Sequence, residues 1–397
     1  MRLCILVLAL CVLTCSFVNA GWVDLSANIP WPNDSMDLSS VYFIGNEGWI
    51  TASYAGDSGF VYHTTDGGQT FETQHTQYPA YSVHMVSRLE GYACGWSGRV
   101  YRTTDGGANW NGLGTITATA TCIDFPPGCD TGYCCGYAGN IARVTPNGVS
   151  RMVSNAGTVN LASISFPNNP RRGNVCGESV ILQLQRDTWT GAYTYPSGTY
   201  NSICFVDSMT GWACGDDGLI VHTDDNANFV PQATPESIGL FGSCFVNSNC
   251  GWVVGGLGTI ERTTDGGQHW RIEAAGVTDH FLTAVFAVDT GTAYVVGDLK
   301  VFLKYDGRGG VEESPKPQAT SSKLGPTFVH GVLLLPRDMT ELPGNSDRVP
   351  RPALLDAAGR KVLDLAPGAN DVRALAPGVY FVHEAQAKAV RKIVVTR

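Results

Sequence analysis

The residues of this chain that could do chemistry fall into two sets. Asp57, Glu178, Asp216, Asp217 and Asp298 are carboxylates in short glycine-bounded segments, and a pair of carboxylates roughly 5 to 10 Å apart is what glycoside hydrolysis requires. His63, Arg102, Arg143, His222 and Arg262 are bases, each one residue before a recurring turn. A ring of five bases would grip an acidic partner. Each set also has a plainer explanation. An Asp beside Gly is by default a turn residue that caps backbone N–H groups, and exposed bases pair with nearby acids for little gain. Sialidase chemistry would need an arginine cluster for the substrate carboxylate and a tyrosine activated by a glutamate. No Ser-His-Asp arrangement, phosphate loop or HExxH is present. The expectation is a chain with no catalytic residue, no cofactor and no metal ion.

Whatever these residues do, a repeat must position them. A phrase of glycine, usually an aromatic, a small apolar pair and a second glycine begins at Gly48, Gly91, Gly132, Gly173, Gly211, Gly251 and Gly291, at spacings of 43, 41, 41, 38, 40 and 40 residues. A near-constant period of this length marks units that cannot bury their apolar faces alone. The fullest copy runs from Gly251 to Trp270 and alternates apolar and polar residues between glycine turns, with no helical spacing. A further apolar run precedes most phrases, such as Val41 to Ile44 or Ile203 to Val206. Four strands per unit predict an all-β fold, a seven-bladed β-propeller over residues 21–310. The seventh unit lacks an outer strand, and Gly21-Trp22-Val23-Asp24-Leu25 reads like one. An N-terminal strand that completes the last blade would close the ring and remove its open edge.

Thr64 to Phe71 recurs as Thr103 to Trp110 and Thr263 to Trp270, and in shortened form as Thr223 to Phe229. These are Asp boxes. Asp66, Asp105, Asp225 and Asp265 should close the turn by accepting backbone N–H bonds, glycines supply positive φ, and the aromatic plugs the blade. That work is structural. The boxes and Gly-Trp strands together make residues 21–310 resemble the propeller family of photosystem II stability/assembly factors, and more distantly the Asp-box repeats of sialidases. The first resemblance implies a seven-bladed binding scaffold without an active site. It does not carry over the photosynthetic role, because that family's arginine-rich face finds little support in this acidic propeller.

The chain opens on Met1-Arg2, an apolar run from Leu3 to Leu13, and Val18-Asn19-Ala20 before Gly21. That is the form of a secretory signal peptide over residues 1–20. No later stretch approaches the roughly 18 apolar residues of a membrane span. Of thirteen cysteines, Cys4, Cys11 and Cys15 would leave with the signal, and disulfides are allowed in an exported protein. Cys94, Cys135, Cys176 and Cys214 share a slot where the sixth unit has Val254, which reads as small-residue packing between strands. If bridges form, Cys204 with Cys214 and Cys122 with Cys135 are the expected pairs. Residues 1–310 hold 14 Lys and Arg against 26 Asp and Glu, and residues 311–397 hold 12 against 9. An acidic body of this kind is a poor partner for nucleic acid or anionic membrane surfaces.

Residues 311–326 read as a Pro-, Ser- and Lys-containing linker. Beyond it, four apolar strands separated by Gly or Pro turns predict a small C-terminal β-sandwich over residues 327–397. Asp356, Gly359-Arg360-Lys361-Val362, the Leu375 to Phe381 hairpin and Arg391 to Val395 make this tail resemble the C-terminal sorting domain of the type IX (Por) secretion system. The resemblance implies type IX machinery as a partner, passage across an outer membrane, then cleavage or surface attachment. The expected binding site lies at the channel mouth, on loops between second and third strands and between blades. It comprises Tyr81, Trp96, Tyr137, Tyr200 and His280 with Asp216, Asp217 and Asp298. Aromatics offer contact area at small entropic cost, and acids orient hydroxyl or ammonium groups. The resulting reading is an exported, non-enzymatic propeller, secreted or at the outer cell surface, that binds protein or glycan. The rival readings are an Asp-box glycoside hydrolase and a periplasmic assembly factor.

Overall fold

In the computed structural model, residues 21–307 are described apart from short segments at 31–35, 54–58, 168, 186, 194–197 and 274–276; beyond residue 326, mainly strands are described. The signal segment 1–20, the linker 311–326 and Asp57 lie outside the described residues. The chain divides into two compact units, Met1–Val311 and Glu312–Arg397.

The first unit is a ring of seven antiparallel sheets. Six blades occupy residues 37–76, 80–115, 120–151, 161–193, 200–232 and 240–272. The seventh is built from Leu282–Asp289, Thr292–Gly297 and Phe302–Tyr305, and its fourth strand is Trp22–Asp24. Trp22 pairs with Tyr305 and Asp24 with Leu303, so the N-terminal strand closes the ring as the sequence predicts. Blade 4 departs from the pattern. Val153–Ser154 adds a fifth strand, parallel to Thr188–Tyr193.

In blades 2 to 6 the repeated phrase is dictated by close approach at both ends of the second strand; blade 1 instead has Ala52 at the second position and blade 7 has Ala293 at the first. A Cβ on Gly48 would lie 2.3 Å from the Phe43 ring, and one on Gly132 would lie 2.4 Å from Phe125. The inner-strand aromatic therefore lies flat where the first glycine leaves room. At the other end, a Cβ on Gly95 would meet the Pro79 carbonyl at 2.2 Å and one on Gly215 the Thr199 carbonyl at 1.9 Å. No larger residue fits without moving backbone.

Between the glycines, a second cross-strand rule repeats. The aromatic of the second strand faces a base on the third: Trp49 opposite His63, Tyr92 opposite Arg102, Tyr133 opposite Arg143, Trp212 opposite His222 and Trp252 opposite Arg262. Lys304, opposite Tyr294, is a sixth base that the sequence pattern did not single out. Arg262 lies 4.7 Å over the Trp252 ring, Lys304 lies 5.4 Å over Tyr294, and His222 stacks on Trp212 at 4.6 Å. Each base of the five also meets an acid: His63 with Glu47, Arg102 with Glu90, Arg143 with Asp187, His222 with Asp224 and Arg262 with Glu273. The basic slot thus covers ring faces within the fold.

Asp boxes dock one blade on the next. In blade 1, Asp66 accepts from the Thr70 hydroxyl, from the Gln69 and Thr70 N–H groups and from the Thr64 hydroxyl, and these bonds, that of the Thr70 side chain foremost, hold its carboxyl down at about 2. Asp265 is held at about 2 by the His269 N–H above all. The box carbonyls face the preceding blade: Trp49 Nε1 donates to Gly106 O at 2.9 Å and Trp212 Nε1 to Gly266 O at 3.3 Å. Trp110 and Trp270, the box aromatics, donate back to Gln74 and Gln232. The aromatic is therefore wedged between blades rather than plugging one.

All ten cysteines of the propeller are free thiols. Cys94, Cys135, Cys176 and Cys214 are fully buried, as small-residue packing requires. The two expected bridges are absent for identifiable reasons. Cys204 faces Trp212 across the ladder while Cys214 faces Ser202; Cys122 does lie opposite Cys135, but beside a bulge that shifts the register.

In the second unit, Thr327–Val329, Val390–Val395, Gly378–His383, Ala353–Leu355 and Lys361–Asp364 form one sheet in that order, and Val332–Leu335 pairs with Gly368–Asp371. The Thr327–Val329 pairing with Val390–Val395 is parallel, and the other described pairings of this unit are antiparallel.

Deleting Gly21 to Leu25 removes the last ladder of blade 7, and should lower the melting temperature of the whole propeller by many degrees; a deletion that melts like the parent refutes closure. Arg262 also donates to Tyr305 Oη at 2.8 Å and Thr290 O at 2.9 Å, joining blade 6 to blade 7. Arg262→Ala should cost on the order of 2 to 3 kcal/mol in chemical denaturation, against under about 1 kcal/mol for Arg88→Ala, whose side chain is mostly exposed.

Candidate functional site

The candidate site is the end of the ring where second-to-third-strand turns meet the segments that lead into the inner strands. Six blades share one bond there. The N–H of Trp96, Tyr137, Glu178, Asp216, Gly256 and Asp298 donates to the carbonyl of Pro79, Thr119, Asn160, Thr199, Gly239 and Phe281, respectively. The next residue in each turn, from Ser97 through Asp217 to Leu257 and Leu299, has a left-handed φ between 50° and 56°. These turns are one rigid motif copied around the mouth, so the side chains they carry alone distinguish one blade from another.

A second device aims side chains at the channel. Every inner strand has a bulge at its mouth end, between Leu38 and Ser40, Ala80 and Ser82, Ala120 and Cys122, Leu161 and Ser163, Tyr200 and Ser202, Leu240 and Gly242, and Leu282 and Ala284. The bulged residues are Ser39, Tyr81, Thr121, Ala162, Asn201, Phe241 and Thr283. Bulges re-aim a side chain without ending the strand. Thr121, Asn201 and Thr283 use theirs to donate to Leu161 O, Leu240 O and Leu38 O of the following blade.

The bulge corrects one expected site residue. Tyr81 is a bulge residue, partly exposed, and its hydroxyl is raised by burial and by the neighbouring Tyr137. Tyr200 occupies the position before the bulge and is fully buried among Cys176, Ile181 and Ile203. It is a core residue; the mouth residue of blade 5 is Asn201, which donates to Asp216 Oδ1 at 3.0 Å. A one-residue shift moved the aromatic out of the site.

The remaining expected residues do reach the mouth, in sectors. Blades 2 and 3 supply Tyr81, Trp96 and Tyr137, with Trp96 50% and Tyr137 48% exposed. Blades 4 and 5 supply Glu178, Asp216 and Asp217, all exposed. Glu178 accepts from Asn160 Nδ2 at 2.8 Å, and Asn160 Oδ1 accepts from the Ala138 N–H, tying the acidic sector to the aromatic one. In blade 7, Asp298 is half-buried; burial raises its carboxyl while His280 pulls it down. The sequence reading missed an apolar sector on blades 6 and 7: Leu257, Phe281 and Leu299 stay more than two-fifths exposed, and Phe241 packs against Phe281 with ring centroids 6.0 Å apart. The available signal was positional, since Phe241 takes the place of Tyr81 and Leu257 that of Ser97. Among the described residues no three His, Cys, Asp or Glu side chains converge as metal ligands.

At the opposite, Asp-box end, a cleft of about 580 Å³ lies between blades 1 and 2, lined by His63, His75, Arg88, Asp105 and Trp110 among others. Its principal charges are already matched, since Glu47 takes both His63 and Arg88 and Asp105 binds Thr103 and Asn109.

The family model for photosynthesis system II assembly factor YCF48 matches residues 22–306. The chain belongs to this family. Among solved structures, YCF48 bound to D1 peptide superposes with a TM-score of 0.58 at 20% identity, covering 72% of this chain and 96% of that one. YCF48 from Cyanidioschyzon merolae gives 0.57 at 19% identity, covering 72% and 98%. The WD40 β-propeller domain of Doa1 gives 0.57 at 11% identity, covering 69% and 94%. At these identities the likeness establishes the seven-bladed fold. A search of curated proteins finds no significant match. No helix among the described residues is long and apolar enough to cross a membrane.

One buried group near the mouth has no counterpart in the other blades. Glu261, fully buried on the third strand of blade 6, lies opposite Val253; the same ladder position holds Tyr62, Tyr101, Ala142, Leu182, Val221 and Leu303 elsewhere. Neither carboxyl oxygen has a hydrogen-bond partner among the described residues. Burial, then the negative charge of Glu236, pushes its carboxyl up to about 7. The folded protein therefore keeps a proton that the unfolded chain releases near the ordinary value of 4.5. Stability should fall as pH rises from about 4.5 to about 7 and stay flat above, by on the order of 3 kcal/mol. Glu261→Gln should abolish that slope and be the more stable protein at pH 8 in urea denaturation; a variant that keeps the parent's pH slope removes Glu261 as its source.

Proposed function

We propose that the propeller is an exported, non-enzymatic binding module that holds a protein segment across its mouth. The observation that carries this reading is the sectored rim. Aromatic, acidic and apolar side chains stand on identical, rigid turns, which supply contact area with little ordering cost. Tyr81, Trp96 and Tyr137 would take flat or aliphatic groups, Asp216 and Asp217 an ammonium or guanidinium, and Leu257 with Phe281 an apolar side chain. A YCF48 structure similar in fold carries a D1 peptide, which supports an extended peptide as the ligand class. Family membership also favours a second reading, an assembly factor that holds a segment of a client protein during its maturation.

The tail from residue 327 is, on this reading, a β-sandwich sorting domain recognised by type IX secretion machinery. The protein would then act outside the outer membrane, secreted or surface-attached.

The purified propeller should capture peptides from a combined peptide and glycan array. Trp96→Ala and Asp216→Asn should each weaken the best peptide by about tenfold or more, with the melting temperature unchanged. Capture of glycans alone, or unchanged affinity in both variants, rejects the peptide site. Removal of Leu355 to Arg397 should leave a folded propeller that no longer appears outside the cell; export of the truncated chain rejects the sorting assignment.

A further inference from the structure

Cys204 and Cys244 occupy the same place in adjacent blades. Cys204 faces Trp212 and Cys244 faces Trp252 in the respective ladders, each one residue before the phenylalanine that ends its inner strand. Both are partly accessible, unlike Cys94, Cys134, Cys135, Cys176 and Cys214, which are fully buried. The seam between inner strands brings them together. Phe245 N–H, next to Cys244 in the chain, donates to Cys204 Sγ at 3.3 Å, and Ala287 N–H donates to Cys244 Sγ at 3.3 Å. Cys204 Sγ thus lies 3.3 Å from the backbone nitrogen that follows Cys244 in the chain.

We propose that Cys204 and Cys244 form a thiol–disulfide site, closed into a covalent clasp between blades 5 and 6 by exchange with a small external disulfide of the glutathione type. Cys244 is the first nucleophile. The adjacent Cys204 holds its thiol below the usual range, helped by the Ala287 N–H that it accepts at 3.3 Å, while Cys204 is pushed up. The Cys244 thiolate attacks one sulfur of the external disulfide, breaking that S–S bond and expelling one thiolate. Cys204, deprotonated in turn, attacks Cys244 Sγ of the mixed disulfide, forming the Cys204–Cys244 bond and expelling the second thiolate. The two protons end on the two released thiols, and two electrons pass from the protein to the external disulfide. Such a clasp would join the blades that carry Asp216 and Leu257, and would stabilise the ring by tying together residues about forty apart in the chain.

The test uses the full-length, fully reduced protein incubated with oxidised glutathione at about pH 8, then alkylated and mapped by mass spectrometry without reduction. Trypsin would leave both cysteines on one peptide, since no Lys or Arg lies between Asp187 and Glu261. Cleavage after Glu236 separates them. The expected result is a mass loss of about 2 Da, a linked Cys204–Cys244 peptide pair, and a melting temperature several degrees above that of the reduced protein. Cys204→Ser should fold normally, because Ser165 fills the equivalent place in blade 4 and accepts the Phe205 N–H at 3.0 Å; it should lose both the linked pair and the oxidative rise in melting temperature. Both thiols remaining alkylatable, glutathione adducts that never resolve, or a bridge mapped to Cys122–Cys135 instead would each overturn the proposal.

Discussion

The close approach between each inner strand and the backbone that flanks it is the constraint on which the rest depends. In blades 2 to 6 a phenylalanine or methionine lies over the first glycine of the second strand at one end, and at the other a carbonyl sits where the second glycine would carry a Cβ. These contacts set the tilt of strand on strand within a blade. The apolar faces of a sheet can be buried only by the neighbouring blades on either side. The ring must therefore close, and Trp22–Asp24 on Phe302–Tyr305 is how it does so.

Within that frame, polar side chains sew neighbouring blades together rather than decorate them. Box carbonyls of blades 2 and 6 receive tryptophan N–H groups from blades 1 and 5. Ser40, Ser82, Ser163 and Ser202 accept backbone N–H groups of the following inner strands. Each bond is modest by itself. Repeated around a closed ring, they fix the blades so firmly that the mouth can be built from turns with a single geometry.

The uniform mouth is what allows variation to carry recognition. Six turns share the same hydrogen bond and nearly the same left-handed φ at the next residue, so exchanging Trp96 for Glu178 or Gly256 changes chemistry without moving backbone. Family relatives would be expected to share the scaffold and differ at these positions. An acidic and apolar rim in this chain suits a different ligand surface from an arginine-rich one, although the blades beneath are of the same kind.

The period of about forty residues, the paired glycines and the Asp boxes made the number of blades, their strand order and even the N-terminal closure legible in the sequence, because each is a local pattern repeated often enough to be seen. Trp96, Tyr137, Asp216 and Asp298 were legible too, since they stand beside glycines that mark the turns. Other features depended on register and on neighbours from distant parts of the chain. A bulge decided that Tyr81 faces the mouth while Tyr200 is buried, and no residue type announces a bulge. The apolar sector of Leu257, Phe281 and Leu299 was not visible in the sequence, because only the closed ring decides that these side chains face water. The basic slot left an acidic-partner grip and plain ion pairing both open, and only the fold places Trp49, Tyr92, Tyr133, Trp212 and Trp252 opposite its bases. The sequence by itself determined the strands and their repetition, which are local; the tertiary structure decided which side chains meet across blades and which face water, because those contacts join residues some forty positions apart and exist only once the ring is closed.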